Sequence, residues 1–374
     1  MLVITIERFM STPHRAENVG SFLRPPDLLQ ARLARGSGQL TLDRLRAAED
    51  RAILEVFEGQ RKVGMPIFTD GELRRGSWLT DMADAVEGFV QDKVMLEWKG
   101  PGGGVEGSTA QVVGGKLRKI RKMTAHELPL LKKSVPGPFK ITLPSPSNFM
   151  VASYKHGITD RFYPSYDDLL RELVEFTRDE IRWLVSEGVT YIQFDAPYYS
   201  HYLDPAQRQG MQSLGLDPDE QFEKSIAVDN AALEDAPRGQ VRRAVHICRG
   251  NSRSRWYTAG GYDAIAEKLF GSLDVDAFLL EYDSARAGSF EPLLLVPHGK
   301  TVVLGLVTTK RPELESQDDL RRRIDEAARY VPLENLAIST QCGFASVAAG
   351  NLLSSDDQWR KLALVVDTAH KVWG

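Results

Sequence analysis

Residues 167–195 read DDLLRELVEFTRDEIRWLVSEGVTYIQFD. Leu170, Leu173, Val174, Ile181, Leu184 and Val185 recur at helical spacing, and Gly188 follows as a helix-ending residue. Residues 191–194 are then a short apolar, β-favouring run, and it ends on the carboxylate Asp195. One amphipathic helix thus feeds one short strand with a chemically useful residue at its C-terminal end.

The same unit recurs along the chain. Candidate strands fall at 18–22, 66–69, 139–143, 191–194, 243–248, 277–282, 302–307 and 336–340, with helix-period stretches between most of them. In 41–63 the stripe is Leu42, Leu45, Ala52, Val56 and Val63. The last helix carries Trp359, Leu362, Val366, Ala369 and Trp373, with Ser355 as its expected N-cap. Eight strands alternating with helices predict a (β/α)8 TIM barrel in the α/β class. A doubly wound sheet ranks second, because no Gly-rich turn stands at a strand-to-helix junction. Gly100-Pro101-Gly102-Gly103-Gly104 lies instead in a polar insertion, about 83–137, between the second and third strands, and reads as a flexible loop. The expectation is one catalytic barrel over 1–374, with about 1–13 as an N-terminal extension.

Composition narrows the class. The 374 residues carry 47 Lys+Arg against 51 Asp+Glu, a net charge of −4 that gives no reason to expect nucleic acid or an anionic membrane as partner. Cys248 and Cys342 are the only cysteines, too few for a disulfide scaffold and consistent with a reducing compartment. The opening MLVITIERF lacks a small-residue cleavage site and is not read as a signal peptide, with Met10 an alternative start. A cytoplasmic location is expected, and the oligomeric state is left open, a homo-oligomer included.

In such barrels, functional side chains come from the C-terminal strand ends. Here those ends carry Gly20-Ser21, Asp70-Gly71-Glu72, Asp195, His246-x-Cys248, Glu281-x-Asp283 and Cys342. His246 and Cys248, two apart on a strand, project from one face. With Cys342 and one carboxylate they make a donor set suited to zinc, Zn(2+). Cysteine alone is often a small buried hydrophobe, but the only other cysteine also ends a strand. Such a metal makes a substrate thiol a nucleophile at neutral pH.

Val19-Gly20-Ser21, Thr69-Asp70-Gly71-Glu72, Ile192-Gln193-Phe194-Asp195-Ala196-Pro197, His246-Ile247-Cys248 and Gln341-Cys342-Gly343-Phe344-Ala345-Ser346 resemble, in order, the C-terminal catalytic barrel of cobalamin-independent methionine synthase, in its short single-barrel branch. The resemblance implies zinc ligands at His246, Cys248, Glu281 and Cys342, with Asp283 the alternative carboxylate. It implies homocysteine contacts at Val19, Gly20, Ser21, Glu72 and Asp195. The implied reaction is methyl transfer to homocysteine from a folate, a methyl-corrinoid or a sulfonium donor. The departures fall on the donor side: Ala196 stands where the family has Glu, Asn148-Phe149-Met150 where it has a stacking Trp, and Lys310 where it has a proton-donating His. Lys310 is therefore the catalytic candidate. Arg74, Arg75 and Arg249 follow strand ends and are candidates to hold an anion. The same branch contains epoxyalkane:coenzyme M-type thiol transferases, which gives the alternative reading, and a non-catalytic thiol- or metal-binding relative is the third. His201 reads as a loop histidine, and the basic run Lys116, Arg118, Lys119, Arg121, Lys122 as a solvated face.

Overall fold

The strand–helix alternation closes into a curled parallel sheet. The computed structural model describes residues 14–374, so the extension at about 1–13 lies outside the described residues. The sheet contains β1 (Ala16–Glu17), β4 (Ile141–Pro144), β5 (Tyr191–Asp195), β6 (Arg242–Ile247), β7 (Ala277–Glu281), β8 (Thr301–Val307) and β9 (Leu336–Thr340), in the order β1-β9-β8-β7-β6-β5-β4, all parallel. The expected second strand, 66–69, fills the gap between β1 and β4. It is reduced to one bridge, in which the Phe68 amide donates to Pro138 O at 2.8 Å and Phe68 O accepts from the Lys140 amide at 3.0 Å. Pro66 has no N–H to give, and the chain leaves at once through Gly71, at φ 73°. The fold is a TIM-barrel-like (β/α)8 arrangement with seven paired strands and one vestigial one.

Helix faces match the stripes read from sequence except at Leu42, which opens its helix on the solvent side. Leu42–Lys62 is capped by Thr41 and Tyr166–Ser186 by Ser165. The last helix, Ser355–Trp373, is capped one residue earlier than expected: Ser354 and Asp357 form a reciprocal capping box. The barrel floor holds a fully buried ion pair, Lys140 Nζ to Glu17 at 2.8 Å, and Glu17 also accepts from the Tyr191 hydroxyl at 3.0 Å. Among the described residues no helix is long and apolar enough to cross a membrane.

The insertion differs from the expected flexible loop. It contains an antiparallel hairpin, β2 (Val86–Trp98) and β3 (Gly104–Lys119), and the glycine run is its turn, with the Gly103 amide donating to Gly100 O at 2.9 Å. β3 is polar along most of its length, and the two strands contribute the buried Val86, Val113 and Leu117, with Phe89 packed against them, to a small core with Met82, Phe149, Leu169 and Leu173. The glycine run and the polar length of β3 are why the pattern reads as loop. The basic run partly pairs with the helix beneath: Lys116 with Glu172 at 2.6 Å, and Lys119 and Lys122 with Asp179 at 2.6 and 2.7 Å.

Arg75 ties this insertion to the barrel. Its buried guanidinium meets Asp81 at 2.6 Å before the hairpin and Glu127 at 2.8 Å after it, and donates to Thr142 Oγ1 and O on β4 at 3.0 and 2.9 Å. Replacing it would leave two carboxylates buried without a counter-charge. Arg75→Met is therefore expected to destabilise the fold by about 3–5 kcal/mol, read from urea unfolding; a loss below about 1 kcal/mol would show the clamp to be dispensable.

Candidate metal and substrate site

Parallel register brings the strand-end residues together. Asp195 on β5 stands beside His246 on β6. Cys248 follows one residue past the end of β6, and Cys342 two past the end of β9. One ligand atom each from His246, Cys248 and Cys342 lies within 4.8 Å of the other two, and all three residues are buried. Neither ring nitrogen of His246 has a hydrogen-bond partner, an orphaned donor–acceptor pair of the kind a metal satisfies. The Cys248 thiol and burial push the Cys342 thiol well above its ordinary value, against the opposing pull of His246. Imidazole plus two thiols fits zinc, and three protein ligands are the number that leaves a coordination position open.

Glu281 lies outside this group. Its carboxylate accepts from Arg286 Nε at 2.8 Å and from the Arg249 amide at 3.1 Å, and Arg286 also binds Asp283 at 2.7 Å. Burial works against the charge of Glu281, and Arg286 and Arg249 hold its pKa below the usual value. Of the four residues the resemblance implies, the structure brings His246, Cys248 and Cys342 into one group and places Glu281, like Asp283, on Arg286.

Val19, Ser21, Glu72 and Asp195 line one cavity of about 320 Å³ with His246, Cys248 and Cys342. Glu72 sits at φ 56°, a left-handed conformation costly for a non-glycine residue, with its amide held by Asp70 Oδ1 at 2.9 Å and its carboxylate by Thr142 Oγ1 at 3.1 Å. Gly20 lies beneath it, and a Cβ there would stand 2.4 Å from Glu72 Oε1. Gly343 likewise admits Ser21, whose Oγ a Cβ would meet at 1.9 Å. Asp195 accepts from Gln193 Nε2 at 2.8 Å. Burial raises the Glu72 carboxyl to about 7, opposed by Arg75 and helped by Asp195, and burial raises Asp195 as well. This end of the cavity therefore lacks a cation.

The basic candidates go elsewhere. Arg74 pairs with Glu49 at 3.2 Å and also with Asp50, and Arg75 is the insertion clamp. Arg249 donates to Gly260 O at 2.6 Å and Glu281 O at 3.2 Å. None lines the cavity, so none is free for an anion. Lys310 is buried and gives its N–H groups to Gly250 O, Asn251 Oδ1 and Arg255 O at 2.9, 3.0 and 3.2 Å. It fastens the loop after β6 and has no proton left to offer the cavity.

Residues that sequence reasoning did not select complete the wall: Trp78, Trp98 of the hairpin, Tyr198 and Tyr257, with His201 packed on Tyr198 at 4.3 Å between ring centroids. Burial lowers His201 to about 4, leaving the imidazole neutral. The signal for Trp98 is the alternation Val94, Leu96, Trp98 before a glycine turn, three residues that all line the cavity. A second group of ligand types, Asp81, His126 and Glu127, is closed by the Arg75 guanidinium in its middle.

The family model described as "Cobalamin-independent synthase, Catalytic domain" matches residues 15–370. The uncharacterized protein YxjH of Bacillus subtilis (strain 168) is 35% identical over 385 residues, covering 98% of this chain and 97% of that protein. A methionine synthase of Saccharolobus solfataricus is 25% identical, covering 93% and 92%. Among solved structures, a Listeria monocytogenes protein described as "Putative Vitamin-B12 Independent Methionine Synthase" is 28% identical with a TM-score of 0.75, covering 97% and 99%.

The raised Glu72 pKa has a consequence for stability. Between about pH 4.5 and about 7 the unfolded carboxyl ionises while the buried one keeps its proton, so this group makes the metal-free protein less stable as pH rises through that window. Glu72→Gln is expected to flatten the fall by about one proton's worth, ~1.4 kcal/mol per pH unit. Urea unfolding at pH 5, 6 and 7 reads it; unchanged slopes would assign the titration to another group.

Proposed function

The chain belongs to the cobalamin-independent synthase catalytic-domain family, and from that premise we propose that it transfers a methyl group to the thiol of homocysteine, giving methionine, as a zinc-dependent enzyme acting as one catalytic barrel. The observation that carries the reading is the buried His246, Cys248 and Cys342 group, with both imidazole nitrogens unpartnered, opening on the cavity that Glu72 and Asp195 line.

His246, Cys248 and Cys342 would hold the metal, which when bound supplies the Lewis acidity that keeps a thiol ionised at neutral pH. The protein's own groups do the rest. Glu72 and Asp195 receive the substrate ammonium, which converts two costly buried carboxylates into paired ones. The Ser21 hydroxyl and the backbone around Gly20 receive the substrate carboxylate. Glu281, held by Arg286 and the Arg249 amide, anchors the chain beside Cys248 and orients the thiol-bearing loop. Burial excludes water, and the fixed substrate sulfur is presented for in-line attack on a methyl carbon. A sulfonate-bearing acceptor with an epoxide partner would need an arginine in the cavity, and Arg74, Arg75 and Arg249 are all bound elsewhere.

Cys248→Ser and Cys342→Ser are each expected to lose most bound zinc and at least 100-fold in methionine formation, read by elemental analysis and a product assay in parallel. A variant that stays fully active without metal would overturn the mechanism.

A further inference from the structure

The charged groups in the cavity wall are both acids. Glu72 and Asp195 line it, and among the described residues no lysine or arginine does. The wall also carries Trp78, Trp98, Tyr198 and Tyr257, with Trp98 edge-on to Tyr257 at 5.5 Å between centroids. Arg255 covers one face of Trp98 from outside the lining and is itself paired with Glu106 at 2.7 Å. Aromatic faces and carboxylates together attract a cation and repel an anion. A donor with a polyanionic tail finds no counter-charge here, and a cavity of about 320 Å³ walled by the hairpin is small for a corrinoid ring.

The leaving group leads to the same class of donor. A methylated amine such as a folate must be protonated as its nitrogen departs. Lys310 has spent its N–H groups on Gly250, Asn251 and Arg255. Burial makes the Tyr198 and Tyr257 hydroxyls weaker acids than usual, and it keeps His201 neutral. Glu72 and Asp195 are held as carboxylates once an ammonium lies on them. We infer, resting on the transfer reading above, that the methyl donor is a small sulfonium cation. The homocysteine thiolate gives an electron pair to the methyl carbon, and the methyl–sulfonium bond breaks. Its electron pair returns to the donor sulfur, leaving two neutral thioethers. No proton is required, and the opposite charges of the reactants cancel inside a low-dielectric cavity, which favours the transition state.

Two measurements test this. Calorimetric titration of zinc-loaded, homocysteine-saturated protein with choline and with its uncharged isostere 3,3-dimethylbutan-1-ol isolates ligand charge on the donor side. Choline is expected to bind at least tenfold more tightly, with the ratio falling below threefold in Trp98→Leu. Equal affinity for the two probes in the unaltered protein would overturn the inference. Zinc-loaded protein with homocysteine is then offered S-methylmethionine, methyl-tetrahydrofolate and methylcobalamin separately. Methionine formed at least 100-fold faster from the sulfonium supports the inference. Methionine from the folate or corrinoid at an equal or higher rate overturns it while leaving the transfer reading intact. No methionine from any of the three, with zinc bound, overturns the transfer reading itself.

Discussion

The Arg75 guanidinium is the contact on which the site's shape depends. It is fully buried, and its partners come from three places: Asp81 before the hairpin, Glu127 after it, and Thr142 at the rim of β4. Two carboxylates around one cation cannot both be fully compensated. Against the cost of burial Arg75 holds Glu127 down, while burial and the charge of Glu127 drive Asp81 up. What such a buried cluster fixes is position. Thr142, bound on one side by Arg75, donates on the other to Glu72. The same guanidinium that roots the hairpin thus also sets the carboxylate at the cavity's edge.

A second constraint is close approach. Glu72 in its left-handed conformation reaches over Gly20, and Ser21 reaches over Gly343, at separations no side chain on either glycine would allow. The segments that follow β1, 66–69 and β9 meet at these two glycines. The Phe22 amide donates to Gly71 O at 3.0 Å and the Phe344 amide to Ser21 O at 2.8 Å, across the same three segments. Local strain at Glu72 is compatible with a stable fold because these contacts over-determine the rim.

What the sequence disclosed follows from which signals are local. Strand ends were legible because β-periodicity and a terminal polar residue are both written in a few consecutive positions: Asp195, His246-x-Cys248 and Cys342 were found that way, and the structure brings these four to one rim. Glu281 was placed on the right strand, but nothing nearby in sequence announces that Arg286, five residues on, bends back to take its carboxylate. Lys310 looked available for the same reason; its three acceptors lie about 55 to 60 residues earlier in the chain. The hairpin escaped because β3 is mostly polar and the glycines that mark its turn also mark a flexible loop, although Val94, Leu96 and Trp98 alternate on β2. Signals carried by one element survive in sequence, whereas those that depend on two distant elements meeting do not.

The division of the cavity between its two halves has a structural cause. His246 and Asp195 stand on paired barrel strands, and Cys248 and Cys342 lie within two residues of one, so their mutual distances are set by parallel register and by a core with no slack. Trp98 belongs to a ribbon outside the barrel, Trp78 to its lead-in, and Tyr257 to the loop that Lys310 and Asn251 fasten down. Chemistry that needs ligand atoms a few ångströms apart belongs on the first kind of support, because a small shift there breaks the set. The surface that meets the other reactant needs only shape and charge, and it can be rebuilt on the second kind without disturbing the first. A barrel of this kind can therefore keep its His–Cys–Cys group while exchanging the wall on the other side of the cavity. In this chain that wall is aromatic with carboxylates at its edge, and the lysine that occupies the expected acid's place has become part of the scaffold holding it.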